Sequence, residues 1–428
     1  MSCPEETEDA MTSRQTPPHL AEPTLTYVAD GARDEFIEAV LHGFHEDYSP
    51  ELWELHKQAL EPDRTFGYQV DGRWVATCSA YSRTMSVPGG SVPTAAVTVV
   101  TVSPTFRRRG LLTAMMMHQL DDIQRGKEPL ALLWASESAI YGRFGYGQAT
   151  SRLRISGRTR STTYLPSVDL GQGSAGEVDR DEWLAAVRPL HQRLLAQRPG
   201  ALDRDESRWA ITLYDPQPWR DGAAGMRYLL HYAKAGRVDG YARFRVKSGD
   251  HVGGSGAEVQ VSEIDATEPQ AYAGLWRFLL DLDLVRSFAR HDAPVDEPLR
   301  YLLLNPRIIK TELSDGTYLR LVDVRTALKA RTYAAELDVV LGVRDALLPH
   351  NNAALRLQAG PDGASVGASR RRPDLSLDVR DLAAIYLGGT PLTALHAAGL
   401  VQQRTPGSVA AVTAAFSTPR PPFCPDSF

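Results

Sequence analysis

Over residues 34–44 the apolar side chains Phe36, Ile37, Val40 and Leu41 fall on one side of a 3.6-residue period, which predicts a helix. A second helix is predicted over 50–59, with Leu52, Leu55 and His56 on one side. A short strand at 25–28 precedes both. The period then drops to two. Segments 65–70 and 74–83 flank Asp71-Gly72, a pair that favours a two-residue hairpin, and Gly89-Gly90 marks another turn. The run 94–102 (TAAVTVVTV) is rich in β-branched residues and stops at Ser103-Pro104. A helix follows over 110–124, its core stripe made by Leu112, Met116, Leu120 and Ile123. An apolar strand at 129–135, a short helix at 138–144 and a strand at 148–155 complete this segment.

Residues 167–176 (SVDLGQGSAG) are rich in glycine and serine and read as a linker. Beyond it the pattern predicts a helix at 181–197 and strands at 227–234, 240–247 and 257–264. A helix at 269–282 and a strand at 299–304 follow. This order loosely repeats that of the first segment, with no repeat at the residue level. After Pro306 the character changes. A strand at 318–324 and a helix at 325–333 lead into four strands at 337–343, 353–359, 363–369 and 374–379. Helices at 379–386, 390–397 and 408–416 close the chain. The tail, 417–428 (STPRPPFCPDSF), holds too many prolines for a helix or a central strand. Residues 1–22 are polar and read as a disordered leader.

At 428 residues the chain has room for about two to four domains. Its 43% hydrophobic and 23% charged residues are those of a globular chain and exclude one that is mainly disordered, and the order of its elements makes the fold α+β (α/β). No apolar run reaches the roughly 18 residues of a membrane span. Residues 1–10 are acidic and lack the basic and apolar regions of a secretory signal. Cys3, Cys78 and Cys424 are too scattered for a disulfide framework or a zinc cluster, so no metal is expected and a reducing cytoplasm is the expected compartment. A net charge of −5 argues against nucleic acid as the partner and permits a cationic substrate.

The densest chemistry lies in 97–117 (VTVVTVSPTFRRRGLLTAMMM), where a strand ends, a basic turn follows and a helix opens. The first N–H groups of a helix have no intrahelical acceptor, and with the helix dipole they attract anions. Arg107, Arg108 and Arg109 add charge, and Gly110 lets backbone come close to a ligand such as a pyrophosphate. With one glycine and no Gly-Lys-Ser/Thr, the turn is neither a P-loop nor a dinucleotide fingerprint.

The stretch V-x-V-x-P-x-x-R-R-x-G-L-L resembles motif A of the GNAT superfamily of acetyl-coenzyme A-dependent N-acetyltransferases, whose pattern is Q/R-x-x-G-x-G/A. Arg107 and Gly110 fit it and Leu112 departs from it. The string 135–147 (ASESAIYGRFGYG) resembles the S-E-x-x-I-Y-G-R-F-G-Y-G of the Eis (enhanced intracellular survival) branch. Eis-like chains end in a phenylalanine, and this chain ends in Phe428. The resemblance implies an N-terminal GNAT domain at 23–165, a GNAT-like domain without a cofactor motif at 166–312 and a sterol-carrier-protein-like domain at 313–428, whose tail enters the active site. Asp381–Gly389 (DLAAIYLGG) also looks like the last of these.

The same resemblance implies roles for single residues. Backbone groups of Val100 and Val102 would hold the thioester and pantetheine of acetyl-coenzyme A. Arg107, Arg108 and Gly110 would hold its pyrophosphate, and Ser136 would line its channel. Tyr141 would be the general acid and the Phe428 α-carboxylate the general base. Phe44 and Glu46 match pocket-lining positions. Asp426 enters because family members can carry Glu beside the terminal residue, where this chain has Ser427. A protonated amine must lose a proton before it attacks a thioester, and a carboxylate can take it. An α-carboxyl group of ordinary pKa, about 3.5, is a weak base until burial raises it. The direct attack needs no nucleophilic cysteine, so Cys78 is expected in the core.

The expected acceptors are primary amines of cationic small molecules of the aminoglycoside kind, and the resemblance implies a homohexamer. Two other readings stand beside this one: a protein-lysine acetyltransferase, and a non-catalytic lipid-binding or scaffold protein. Tyr146, Trp53 and Trp134 are expected to be packed core aromatics, His118 structural or solvated, and Arg370-Arg371-Arg372 a solvated turn.

Overall fold

The computed structural model describes residues 22–47, 49–249 and 256–428; the leader read at 1–22 lies, apart from Glu22, outside the described residues, as does Cys3. The strands are β1 (Thr24–Tyr27), β2 (Thr65–Val70), β3 (Arg73–Val87), β4 (Gly90–Val102), β5 (Leu130–Trp134), β6 (Gly147–Gln148), β7 (Ser151–Arg158), β8 (Ser174–Val178), β9 (Arg227–Tyr232), β10 (Val238–Lys247), β11 (Ala257–Ala266), β12 (Val285–Ala293), β13 (Lys310–Asp315), β14 (Thr317–Leu321), β15 (Leu337–Arg344), β16 (Ala353–Gly360), β17 (Gly363–Ala368), β18 (Leu375–Asp378) and β19 (Gln402–Gln403). The α-helices are α1 (Arg33–Phe44), α2 (Pro50–Ala59), α3 (Leu111–Arg125), α4 (Ser138–Tyr141), α5 (Arg180–Leu195), α6 (Glu206–Leu213), α7 (Pro269–Leu280), α8 (Leu299–Leu302), α9 (Val324–Lys329), α10 (Val379–Tyr386), α11 (Leu392–Ala397) and α12 (Ser408–Phe416).

They form three sheets, ordered β1-β2-β3-β4-β5-β14-β6, β13-β7-β12-β11-β10-β9-β8 and β17-β16-β15-β18-β19. The hairpin predicted at Asp71-Gly72 is present, with φ of 49° and 77° at the two turn residues, the left-handed values its twist requires. The first two sheets interlock through the chain. β7 follows the first segment yet pairs with β12 and β13, whereas β14 arrives late and fills the edge of β5. The boundary at 165/166 therefore lies between two strands of one sheet, β7 and β8, the linker read at 167–176 runs into β8, and residue 312 falls inside β13.

β14 leads directly into α9 and the third sheet. One apolar cluster runs from Phe36 and Val40 of α1 through Leu319 and Leu321 of β14 to Leu341 and Leu357 of the third sheet. The third unit is thus packed against the first through shared core, and α7 covers the second sheet with its own cluster around Trp276 and Phe288.

The pattern reading errs in several places, β8 and β19 among them, neither of which it anticipated. Residues 299–304 are not a strand: Leu299–Leu302 is a short helix, opened by the Glu297 carboxylate accepting the Leu299 N–H at 3.1 Å. The strand of that region is β12, hidden in the sequence because its charged Arg290 is buried by an ion pair with Glu297. α6 was not anticipated, although Asp205 caps it by accepting the Arg208 N–H at 2.8 Å. β13 was missed because nearly all of its six side chains are exposed, leaving no apolar alternation.

Candidate active site

β4 and β5 run parallel and pair only from Thr94–Leu130 to Val97–Leu133. Beyond this point they part. On its other edge β4 loses register with β3 between Thr77 and Ser79, and here Val99 has φ 48°. A β-branched residue in the left-handed region is strained, a signature of a bulge held by its surroundings. The Thr77 hydroxyl, which donates to the Val99 carbonyl at 2.7 Å, is part of that support. The bulge turns the backbone around Val100 out of the ladder and towards the gap between the strands.

At the far end of β4 the chain turns through Pro104–Phe106 into α3. Gly110 precedes the helix with φ 83°, and a β-carbon there would meet nothing, so glycine is needed for its dihedral angle alone. No side chain caps α3, and Arg107, Arg108 and Arg109 are exposed around its open N-terminus. The Arg107 Nε donates to the Val102 carbonyl at 3.3 Å, and the Arg109 guanidinium lies 4.9 Å over the Phe106 ring. Free amides, a helix N-terminus and solvent-facing guanidiniums suit a pyrophosphate.

The gap between β4 and β5 opens into a cavity of about 800 Å³. It gathers Phe44, Glu46, Val100, Ser136, Tyr141, Asp426 and Phe428 from four separate stretches of chain. Val102, Arg107, Arg108 and Gly110 are not among its lining residues; Val102 ends β4, and the other three stand in the turn that follows it. Seven of the eleven residues singled out in the sequence thus share one space, and the other four mark its extension.

Tyr141 ends α4 and is 8% exposed; burial pushes its hydroxyl up to about 12, so it is protonated at neutral pH. The hydroxyl bonds to no described residue and is free for a ligand. Tyr146 is fully buried with its ring 6.0 Å edge-on from that of Tyr141, as expected of a core aromatic, but its hydroxyl lacks the hydrogen-bond partner that a buried tyrosine usually finds. The glycines of this string serve docking: a β-carbon on Gly147 would sit 2.0 Å from the Arg380 carbonyl of α10.

The tail follows an irregular path from α12 to the cavity. The Phe423 N–H donates to the Pro199 carbonyl at 2.9 Å, and the Trp134 indole N–H to the Asp426 carbonyl at 2.8 Å. The Asp426 carboxylate is 2.7 Å from the Arg204 Nε, and both side chains are almost wholly buried. Arg204 also meets Glu263, which binds Arg243 in turn. Asp426, expected to read substrate charge, thus seats the tail through one carboxylate oxygen, while its buried Oδ2 has no hydrogen-bond partner. Glu46 and Asp47 make no ion pair with any described residue and leave the cavity an acidic face.

Sequence reasoning missed Arg204, Arg208, Arg243 and His56, which also line the cavity. The first three come from the second segment, where no motif flags them. His56 was assigned to the α2 face; burial lowers it to about 4, so its imidazole is neutral. Trp53 and Trp134 are packed as expected, yet both reach the cavity wall. Cys78 is fully buried, as expected, with its thiol pushed up by desolvation. His118 shares a hydrogen bond of 2.8 Å with the Tyr27 hydroxyl, and 370–372 are exposed.

A splayed parallel pair, a strand bulge and an uncapped helix after a basic turn define a GNAT acetyltransferase. An acetyltransferase (GNAT) domain model matches residues 25–149, a second one matches 200–321, and a sterol carrier protein domain model matches 324–425. The chain is 41% identical over 382 residues to an uncharacterized N-acetyltransferase of Streptomyces avermitilis, covering 88% of this chain and 92% of that one. It is 32% identical over 345 residues to the N-acetyltransferase Eis of Mycobacterium tuberculosis, covering 79% and 81%. The solved structure of Eis1 from Mycobacterium abscessus superposes with a TM-score of 0.82 at 33% identity, over 95% of this chain and all of that one. The chain belongs to the Eis family of GNAT N-acetyltransferases and is an acyltransferase.

Proposed function

We propose that this enzyme transfers the acetyl group of acetyl-coenzyme A to primary amines of cationic small molecules of the aminoglycoside kind, with Tyr141 as general acid and the Phe428 α-carboxylate as general base. The observation that carries this reading is the single cavity at the β4–β5 gap, which Tyr141 and Phe428 both line. Acetyl-coenzyme A supplies the thioester. Val100 and Val102 offer backbone groups along β4, Arg107, Arg108 and the Gly110 turn receive the pyrophosphate, and Ser136 borders the channel. The Phe428 carboxylate takes the proton of the attacking ammonium, directly or through water. The Tyr141 hydroxyl, protonated at neutral pH, gives its proton to the departing thiolate.

Phe44 and Glu46 line the acceptor side. Uncompensated charge on Glu46 and Asp47 favours an amine with several positive charges. Asp426 contributes by holding the tail rather than by meeting the acceptor. Family resemblance extends the proposal to a homohexamer in the cytoplasm. No helix among the described residues is long and apolar enough to cross a membrane.

The test is thiol release from acetyl-coenzyme A with aminoglycosides, linear polyamines and lysine peptides, each against wild type and Glu46→Gln. The proposal expects turnover with the multiply charged small molecules, and a KM rise in Glu46→Gln that is larger for these than for a monoamine. Turnover with lysine peptides alone would favour the protein-acetylating reading.

A further inference from the structure

The second sheet repeats the strand–helix–strand unit that builds the active site. β11, α7 and β12 stand in the order of β4, α3 and β5, and again the parallel strands pair only at their start, from Ala257–Val285 to Gln260–Ala289. Beyond that register β11 and β12 diverge. The opening is not filled by side chains: it is a cavity of about 450 Å³ bounded by the end of β11, the start of α7 and the C-terminal half of α5. The tail roofs it with Arg420, Phe423 and Pro425.

Its chemistry differs from that of the first gap. Where α3 opens with glycine and arginines, α7 opens with Glu268 followed by Pro269. An acid stands at the positive end of the helix and one N–H is missing, so the start of α7 does not offer a phosphate what the start of α3 does. Leu194, Ile264, Leu302 and Phe423 give the cavity apolar walls.

Most of its charged lining is already matched. Arg198 is held by Asp296 at 2.7 Å, Arg290 by Glu297, and Glu263 by Arg204 and Arg243. Asp265 is not. It lines the cavity, makes no ion pair with a described residue, and accepts one hydrogen bond, from the Ala266 N–H at 2.9 Å. Glu268 and Arg420 are also without an ion pair, so the unmatched groups carry one net negative charge. A second polar group waits there: His191 is 6% exposed, lines the cavity, and its Nε2 has no hydrogen-bond partner. An imidazole nitrogen without a partner and a half-buried carboxylate without an ion pair both call for a ligand.

We propose that the gap between β11 and β12 is a second small-molecule site, for a compact organic monocation with an apolar body, its ammonium group on Asp265 and a polar edge within reach of His191. The apolar body replaces water against Leu194 and Phe423, and Arg420 limits the affinity by opposing the charge. Pro425 lines both this cavity and the catalytic one, so an occupant here touches the segment that carries Phe428.

The test is calorimetric titration of the full chain, without acetyl-coenzyme A, using phenethylamine, its neutral counterpart 2-phenylethanol and the anion 3-phenylpropanoate. The amine should bind best. Asp265→Asn should weaken it by roughly tenfold or more, as expected for a lost charge-assisted contact, and Arg420→Ala should tighten it by about threefold. Glu46→Gln, in the catalytic cavity, should leave this affinity unchanged. Binding that ignores both Asp265→Asn and Arg420→Ala, that disappears in Glu46→Gln, or that favours the alcohol or the anion overturns the proposal. Because the Arg420 variant alters a half-buried side chain of the irregular tail and acts in the opposite direction, the test stands even if Asp265→Asn misfolds.

Discussion

Arg204, on the segment before α6, and Asp426, third from the chain's end, form an ion pair of 2.7 Å with side chains 1% and 3% exposed. It fixes the tail two residues before Phe428. Removing one partner of such a pair leaves a buried charge, at a cost of about 3–5 kcal/mol. Arg204→Gln should therefore release the tail and lower kcat strongly, with little change in the affinity for acetyl-coenzyme A. Trp134→Phe, which loses only the bond to the Asp426 carbonyl, should act in the same direction by about 1 kcal/mol. Steady-state kinetics and cofactor calorimetry on both variants check this, and equal losses of kcat and cofactor affinity would count against it.

Tyr141→Phe should lower kcat by roughly 10²-fold while cofactor affinity holds, the behaviour of a lost general acid. Because burial pushes Tyr141 up to about 12, its ionisation should produce no alkaline limb in the wild-type profile below about pH 10. Tyr146→Phe removes a buried hydroxyl that has no partner, so it should raise the melting temperature or leave it unchanged. The reverse ranking in kcat would exchange the roles of the two tyrosines.

A few residues added after Phe428 turn its carboxylate into a neutral amide and force chain into the cavity. Activity should fall by roughly 10²-fold or more on the general-base scale. Deleting Phe428 should do similar damage, since the new carboxylate on Ser427 stops about 3.5 Å short along an extended chain. Both variants should still bind acetyl-coenzyme A. Full turnover by the extended chain would falsify the terminal carboxylate as base and bring forward His56, already neutral in the cavity wall.

Gly110→Asp places a carboxylate at the mouth of the α3 N-terminus and forces an L-residue to φ 83°. The affinity for acetyl-coenzyme A should drop by about 2 kcal/mol or more, read by calorimetry on folded protein. Unchanged affinity would move the pyrophosphate elsewhere.

His191 is held neutral, its pKa lowered by burial to about 4 from an ordinary 6.5. As pH falls through 6.5 the unfolded chain takes up this proton and the folded chain does not, so stability declines between about pH 6.5 and pH 4 and is level above and below. The loss at pH 5 should be about 2 kcal/mol from this residue. Urea unfolding at pH 7 and pH 5 should show a smaller difference in His191→Gln than in wild type; equal differences would assign the decline to other groups.

The sequence by itself determined what is local. The β-branched run ending at Ser103-Pro104, the basic turn and the glycine before α3 are contiguous, so their chemistry is legible without a fold. The Asp71-Gly72 hairpin and the Tyr141 string are legible for the same reason, since dihedral preference and helix spacing act over a few residues. Only the tertiary structure decided the rest. β14 reaches the edge of β5 from nearly 190 residues away, and no pattern in either strand names the other. Arg204, Arg208 and Arg243 look like ordinary surface charges in a polar stretch; burial between the second sheet and the tail turns the first two into the anchor of Asp426 and the third into a partner of Glu263. Asp426 itself reads as an acid offered to substrate until its partner is seen. Pairing across long loops depends on which faces are buried together, and that is a property of the assembled core rather than of any window of residues.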